Sequence, residues 1–114
     1  MAIGRPITLT NNVADGPMFN TGFSPAMLFT KRYSNTGKWC NRDINRSPIN
    51  PSEKIMDMGS TAKDEDSSDY SMDILATGAK CRSNNAAINN GSVIYCAWAK
   101  SPFHNLYGAS SNAR

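Results

Sequence analysis

The chain has 114 residues, a formal net charge of +3, and only 18% charged residues. Asn, Ser, Thr and Gly number 13, 13, 7 and 8, against two Glu and no Gln; this mixture favours turns and caps, and it excludes a helical bundle or coiled coil. No run approaches the ~20 apolar residues of a membrane-spanning helix, and Met1-Ala2-Ile3-Gly4-Arg5-Pro6 lacks the apolar stretch of a secretory signal peptide.

The length permits one compact domain, which at this size buries only about two-thirds of its unfolded surface and benefits from a partner or oligomer. Residues 1–20 differ from the rest. Ile3, Ile7 and Leu9 alternate with polar neighbours, while Gly4, Pro6, Gly16 and Pro17 interrupt any long element. They read as an extended arm that pairs with something else, ahead of a domain spanning 21–114. After Gly22-Phe23-Ser24-Pro25, the run Ala26 to Tyr33 reads as a strand whose first half is continuously apolar. Ser34-Asn35-Thr36-Gly37 predicts a hairpin turn with Gly37 at positive φ, and Lys38 to Ile44 the returning strand.

Glu53 to Met58 predicts a short strand ended by Gly59, and Thr61 to Asp69 a polar loop. Tyr70 to Leu75 and Ala79 to Arg82 are strands around a turn at Thr77-Gly78. Asn89-Asn90-Gly91 marks a turn before Ser92 to Ala99, whose two faces are both apolar, as in a central strand. Six or so short strands with a turn signal about every ten residues predict an all-β fold, a small antiparallel β-sandwich of jelly-roll type with an extended N-terminal arm.

Five bases lie between Lys31 and Arg46, interleaved with Tyr33 and Trp39. Such a pattern can hold single-stranded nucleic acid, but a strand pair with one solvated face explains it more simply, so no nucleic-acid partner is expected. Acidic residues gather later, from Asp57 to Asp73, an asymmetry suited to head-to-tail contact between copies. Cys40, Cys81 and Cys96 form no CxxC and have no histidine cluster for a zinc site. Cys96 reads as a small buried hydrophobe; the odd count points to a reducing cytoplasm, with a Cys40–Cys81 bridge as the lesser alternative.

Catalytic chemistry finds no motif. His104 stands alone, and no Ser or Cys sits in a nucleophile signature. Asp64 to Asp69 fails the EF-hand pattern, because the sixth and twelfth places hold Asp69 and Leu75 instead of Gly and Glu. Neither a metal nor another cofactor is expected, and the chain is not expected to be an enzyme.

Two stretches carry a resemblance. Residues 1–14, Met1-Ala2-Ile3-Gly4-Arg5-Pro6-Ile7-Thr8-Leu9-Thr10-Asn11-Asn12-Val13-Ala14, resemble the amino-terminal segment of tail-fibre-like proteins of marine and cyanobacterial phages (cyanophage). The remainder is similar to a domain found at the ends of phage tail and fibre proteins. Its marks here are Gly22-Phe23-Ser24-Pro25, then Trp39, Asp43 and Arg46, then Val93 to Ala99, Pro102-Phe103 and Ala113-Arg114. Ser47 replaces the Gly expected after Arg46, and Tyr70-Ser71-Met72-Asp73 replaces a Phe-rich middle.

On a strand, positions 39 and 43 share a face. Trp39 is expected to cover core while Asp43 and Arg46 pair across a strand end; Trp98 is likewise expected in the core. The resemblance implies a non-enzymatic virion structural protein, a small tail fibre or fibre-associated subunit made in the host cytoplasm, with a capsid decoration protein as the alternative. It implies a homotrimer bound to other virion proteins, with Ile3, Arg5, Pro6, Ile7 and Leu9 docking the arm. Contact with a host surface glycan or protein would fall to Asn84, Asn85, His104 and Tyr107. No membrane insertion is expected.

Overall fold

A computed structural model describes residues 15–85 and 88–100 with their side chains, and elsewhere the backbone of four short strands. The strands in chain order are β1 (Ala2–Ile3), β2 (Ile7–Leu9), β3 (Met18–Asn20), β4 (Pro25–Arg32), β5 (Trp39–Asp43) and β6 (Lys54–Asp57). They continue with β7 (Glu65–Asp66), β8 (Met72–Leu75), β9 (Gly78–Cys81), β10 (Gly91–Ala99), β11 (Phe103–His104) and β12 (Ser110–Ser111). The protein is nearly all β, with two antiparallel sheets packed together as the turn-rich composition predicts.

The large sheet runs β1-β10-β4-β5-β6-β7, with β2 also on the free side of β10. The small sheet runs β3-β9-β8, and β11 pairs with β12. Two pieces of the opening arm therefore pair within the chain, Ala2 opposite Ala97 and Ile7 opposite Val93. They cover one edge of β10, which would otherwise present unpaired backbone donors and acceptors.

The core lies between the sheets. Phe19 and Phe23 meet Leu28 of β4, Val93, Tyr95 and Ala97 of β10, and Met72, Ala79 and Cys81 of the small sheet. A second cluster joins Cys40, Ile55, Tyr70 and Ile88. The Phe19 and Tyr95 rings sit 5.2 Å apart and tilted, a favourable aromatic contact. The Tyr95 hydroxyl donates to the Asn20 carbonyl at 3.1 Å, so one side chain of β10 both fills the core and grips β3.

Several local expectations change. The β4–β5 hairpin forms as read, but positive φ among the described glycines falls at Gly22, Gly78 and Gly91 and not at Gly37. The hairpin is closed instead by Asn35 Oδ1, which accepts from the Thr36 amide at 2.7 Å, and by Lys31 Nζ donating to the Gly37 carbonyl at 2.6 Å. The polar stretch 61–69 contains β7, and a 3₁₀ turn over Ser68–Tyr70 removes Tyr70 from the following strand. Ser67 caps that turn by accepting from the Asp69 amide at 3.2 Å. Cys40, Cys81 and Cys96 are free thiols, and Cys96 is half-buried where burial was expected.

Gly78 marks the tightest approach of the small sheet's strands. A Cβ built there would lie 1.8 Å from the Phe19 carbonyl oxygen, a backbone atom that cannot move aside alone. Gly78→Ala should therefore lower unfolding free energy by about 3 kcal/mol through forced separation of β3 and β9. Urea denaturation checks this; a change below about 0.5 kcal/mol would show that β3 is not held in this register.

Candidate functional site

The two sides of the large sheet differ in what covers them. Residues 28, 30, 40, 42, 93, 95 and 97 face the small sheet and are buried. Their neighbours Met27, Phe29, Lys31, Trp39, Asn41, Asp43, Ile94, Cys96 and Trp98 form the opposite, outer face by strand alternation.

This corrects three sequence expectations. Trp39 is 42% exposed and stands on the outer face, its ring 5.4 Å from that of Phe29 and under the Lys31 ammonium at 5.4 Å. Trp98 is half-buried on the same face beside Met27, and Cys96 lies between them opposite Phe29. None of the three fills the core. The small sheet has three strands and covers only the other side of a much wider sheet.

Asp43 and Arg46 do pair at the end of β5. Arg46 Nε donates to Asp43 Oδ2 at 2.9 Å, while Asp43 Oδ1 accepts from the amides of Asn45 and Arg46 at 3.0 and 2.9 Å. The carboxylate thus caps the turn that leaves the strand. Arg46 Nη1 reaches on to Asp64 at 2.9 Å.

Charge asymmetry is largely consumed inside the chain. Lys38 pairs with Glu65, Arg46 with Asp64, and Lys54 with Asp66. The acidic loop thereby lies against the basic strands. Lys38 also stands over the Tyr70 ring at 5.2 Å, and its hydrogen bond to Glu65 holds its ammonium above the ordinary lysine range. Further along, Asp15 bridges Lys80 at 2.7 Å and Arg82 at 3.1 Å, and the Lys80 hydrogen bond lowers its carboxyl.

The inner face holds a group that the sequence reading missed. Arg42 is 1% exposed, directly opposite Leu28, and its Nη1 donates to the carbonyls of Ser52 at 3.0 Å and Tyr70 at 2.9 Å. All nine carboxylate side chains of the protein belong to the described residues, and none pairs with it. Nε and Nη2 find no acceptor among the described residues. Burial pulls its pKa below the ordinary arginine value.

On the outer face, Met27, Phe29, Asn41, Met58, Cys96 and Trp98 line an open groove of about 320 Å³. Its walls are almost wholly apolar. Asn41 is 8% exposed, and its Oδ1 accepts no hydrogen bond among the described residues. Chemically the groove suits one flat apolar group carrying one hydrogen-bond donor.

The remaining expected residues lie apart. Asn84 is exposed and Asn85 half-buried; Asn85 takes a bond from its own amide to Ser83 Oγ at 3.0 Å and caps the turn before Ile88. Ile3, Ile7, Leu9 and His104 are placed by backbone alone, and Arg5, Pro6 and Tyr107 lie outside the described residues. Among the described residues, no three His, Cys, Asp or Glu side chains gather as a metal site.

Fold and site together define a small two-layer all-β domain with an interior cation and an open apolar face. Residues 8–102 match the family described as Domain of unknown function (DUF7483), and the chain belongs to that family. Neither a curated protein nor a solved structure matches it.

The thiols report which face is which. Burial pushes Cys40 and Cys81 up to about 11. Since unfolded thiols titrate near ~8.5, the folded state keeps protons that the unfolded state releases, and stability falls as pH rises from there towards 11 by about 1.4 kcal/mol per pH unit per thiol. Urea denaturation across that range should show this fall, and Cys40→Ala/Cys81→Ala should flatten it. In the folded protein at low concentration an aromatic disulfide reagent should modify Cys96 fast and the other two only on unfolding. Equal slopes, or three equally fast thiols, would contradict the assignment of faces.

Proposed function

We propose that this chain is a non-enzymatic structural subunit of a phage virion, a small tail fibre or fibre-associated protein. The phage assignment rests on the resemblance of residues 1–14 and of the ordered motifs from Gly22 to Phe103. What the geometry adds is one observation. Trp39, Ile94 and Met58 remain exposed around the outer-face groove, and concentrated apolar surface of this kind serves protein neighbours better than free solution. The arm's backbone along β10 suits such a role, because a neighbouring subunit would meet a sheet edge already occupied by short strands. Host contact would fall to exposed loops such as Asn84, whose amide suits glycan hydroxyls.

The second reading is a capsid decoration protein, in which the same exposed apolar face would meet neighbouring shell subunits. Antibody raised against the whole chain, applied as immunogold to intact particles, separates the readings. Tail labelling is the expected result, and head labelling would replace the fibre role by decoration. Absence of the chain from purified particles, measured by mass spectrometry, would overturn both.

A further inference from the structure

Of the six large hydrophobic residues left exposed in the described structure, four gather on or beside one face: Tyr33, Trp39, Met58 and Ile94. Met58 lines the groove floored by Asn41, Trp39 and Ile94 stand in the next row along the face, and Tyr33 lies beyond that row. Tyr33 follows directly on β4, and its amide donates to the Ser92 carbonyl at 3.0 Å. The strand alternation therefore continues to it, placing Tyr33 in line with Met27, Phe29 and Lys31.

Tyr33 stands about 14 Å along the strand from Phe29, at four residues of ~3.4 Å each. Between them lies the row of Lys31, Trp39 and Ile94, which register pairs directly across β5, β4 and β10. The face thus carries an exposed phenol at one end and, toward the other, a groove needing an aromatic group with one donor. Midway lies exposed apolar surface.

We infer that this face joins two copies of the chain about a two-fold axis over Lys31, Trp39 and Ile94, with Tyr33 of each copy seated in the other's groove and its hydroxyl donating to Asn41 Oδ1. A two-fold relation exchanges the two ends of the face, so one geometry satisfies both grooves at once. A partner bound by a three-fold axis or in an open series would not return each tyrosine to the copy that received it. The inference stands on the sheet geometry and not on the virion reading, and it replaces the homotrimer expected from resemblance.

Lys31 is the cost near the axis. Its ammonium is drawn to the Gly37 carbonyl and over its own Trp39 ring, which leaves Trp39 and Ile94 to meet across the centre. The residual like-charge repulsion is screened by salt, so association should tighten as ionic strength rises, opposite to an interface held by ion pairs. A face three strands wide, about 14 Å, and some seven residues long offers less than the ~800 Å² per partner of a standard interface. The dimer is accordingly weak, with a dissociation constant on the order of 10–100 µM.

Sedimentation equilibrium of the full chain from about 1 to 500 µM tests this range. The expected result is a reversible monomer–dimer equilibrium that tightens with salt. Tyr33→Phe removes one hydrogen bond from each half of the dimer and should weaken it roughly thirtyfold, at about 1 kcal/mol per bond, and Tyr33→Ser should leave monomer throughout. Unchanged thermal midpoints for both exposed-site variants confirm that the fold is intact.

Cys96 supplies a second readout from within the groove. Its labelling by a thiol reagent should slow as wild-type concentration rises and stay constant for Tyr33→Ser. Monomer at every concentration, a trimer or open series, or a dimer indifferent to Tyr33→Ser would each overturn the proposal. So would Cys96 labelling independent of wild-type concentration.

Discussion

The architecture depends on a positive charge held where water cannot reach it. Arg42 extends from the inner face of β5 and donates to the Ser52 and Tyr70 carbonyls. Tyr70 belongs to the chain's passage from the large sheet to the small one, and Ser52 to the β5–β6 loop where that loop meets the small sheet. Ser52 forms a β-bridge with Met72 of the small sheet, its amide 2.7 Å from the Met72 carbonyl. Tyr70 ends the 3₁₀ turn that delivers the chain from β7 into β8. One guanidinium therefore ties β5 both to the β7–β8 crossing and to the loop that bridges the small sheet.

Burying an ion costs several kcal/mol, and no carboxylate offsets that cost here. Two charge-assisted hydrogen bonds return about 1.5–3 kcal/mol each. The balance is close, so Arg42 contributes little net stability by being present. Its removal is another matter, because two buried carbonyls would lose their donor and the space of a long side chain would stand empty. Such a residue specifies an arrangement more than it strengthens one, and it explains why the small sheet is held over one part of the large sheet. The small sheet does not cover the outer face, where Trp39 and Ile94 are exposed and the Asn41 groove is open. Stability and association thus occupy opposite sides of the same three strands.

The sequence revealed the strands and turns well, because turn chemistry is local. Asn89-Asn90-Gly91 stops the chain before β10, and Gly91 takes the left-handed conformation that glycine permits, with φ +82°. The hairpin at 34–37 and the turn before Gly78 were readable for similar reasons. Which face is inside was not readable. In β10, Val93, Tyr95 and Ala97 alternate with Ile94, Cys96 and Trp98, so hydrophobicity is matched on both sides and a shift of one residue leaves the pattern unchanged. In β5 the same rule misleads, since Trp39 and Arg42 look like core and surface and are the reverse. The Asp43–Arg46 pair was legible because its three-residue spacing at a strand end is a local matter. Arg42 was not, because its acceptors are backbone carbonyls 10 and 28 residues away, and carbonyls carry no sequence signature.

The most direct test of this account is the unfolding free energy of Arg42→Ala, measured by urea denaturation at neutral pH with the wild-type chain alongside. The account predicts a loss of about 3–5 kcal/mol, the range for breaking a buried charged arrangement from one side. It also predicts that the small-sheet amides of Met72 and Arg82, bonded to Ser52 and Ser71, will lose hydrogen-exchange protection before those of β4 and β10. A loss under about 1 kcal/mol, with protection unchanged in both sheets, would contradict the claim that Arg42 joins them.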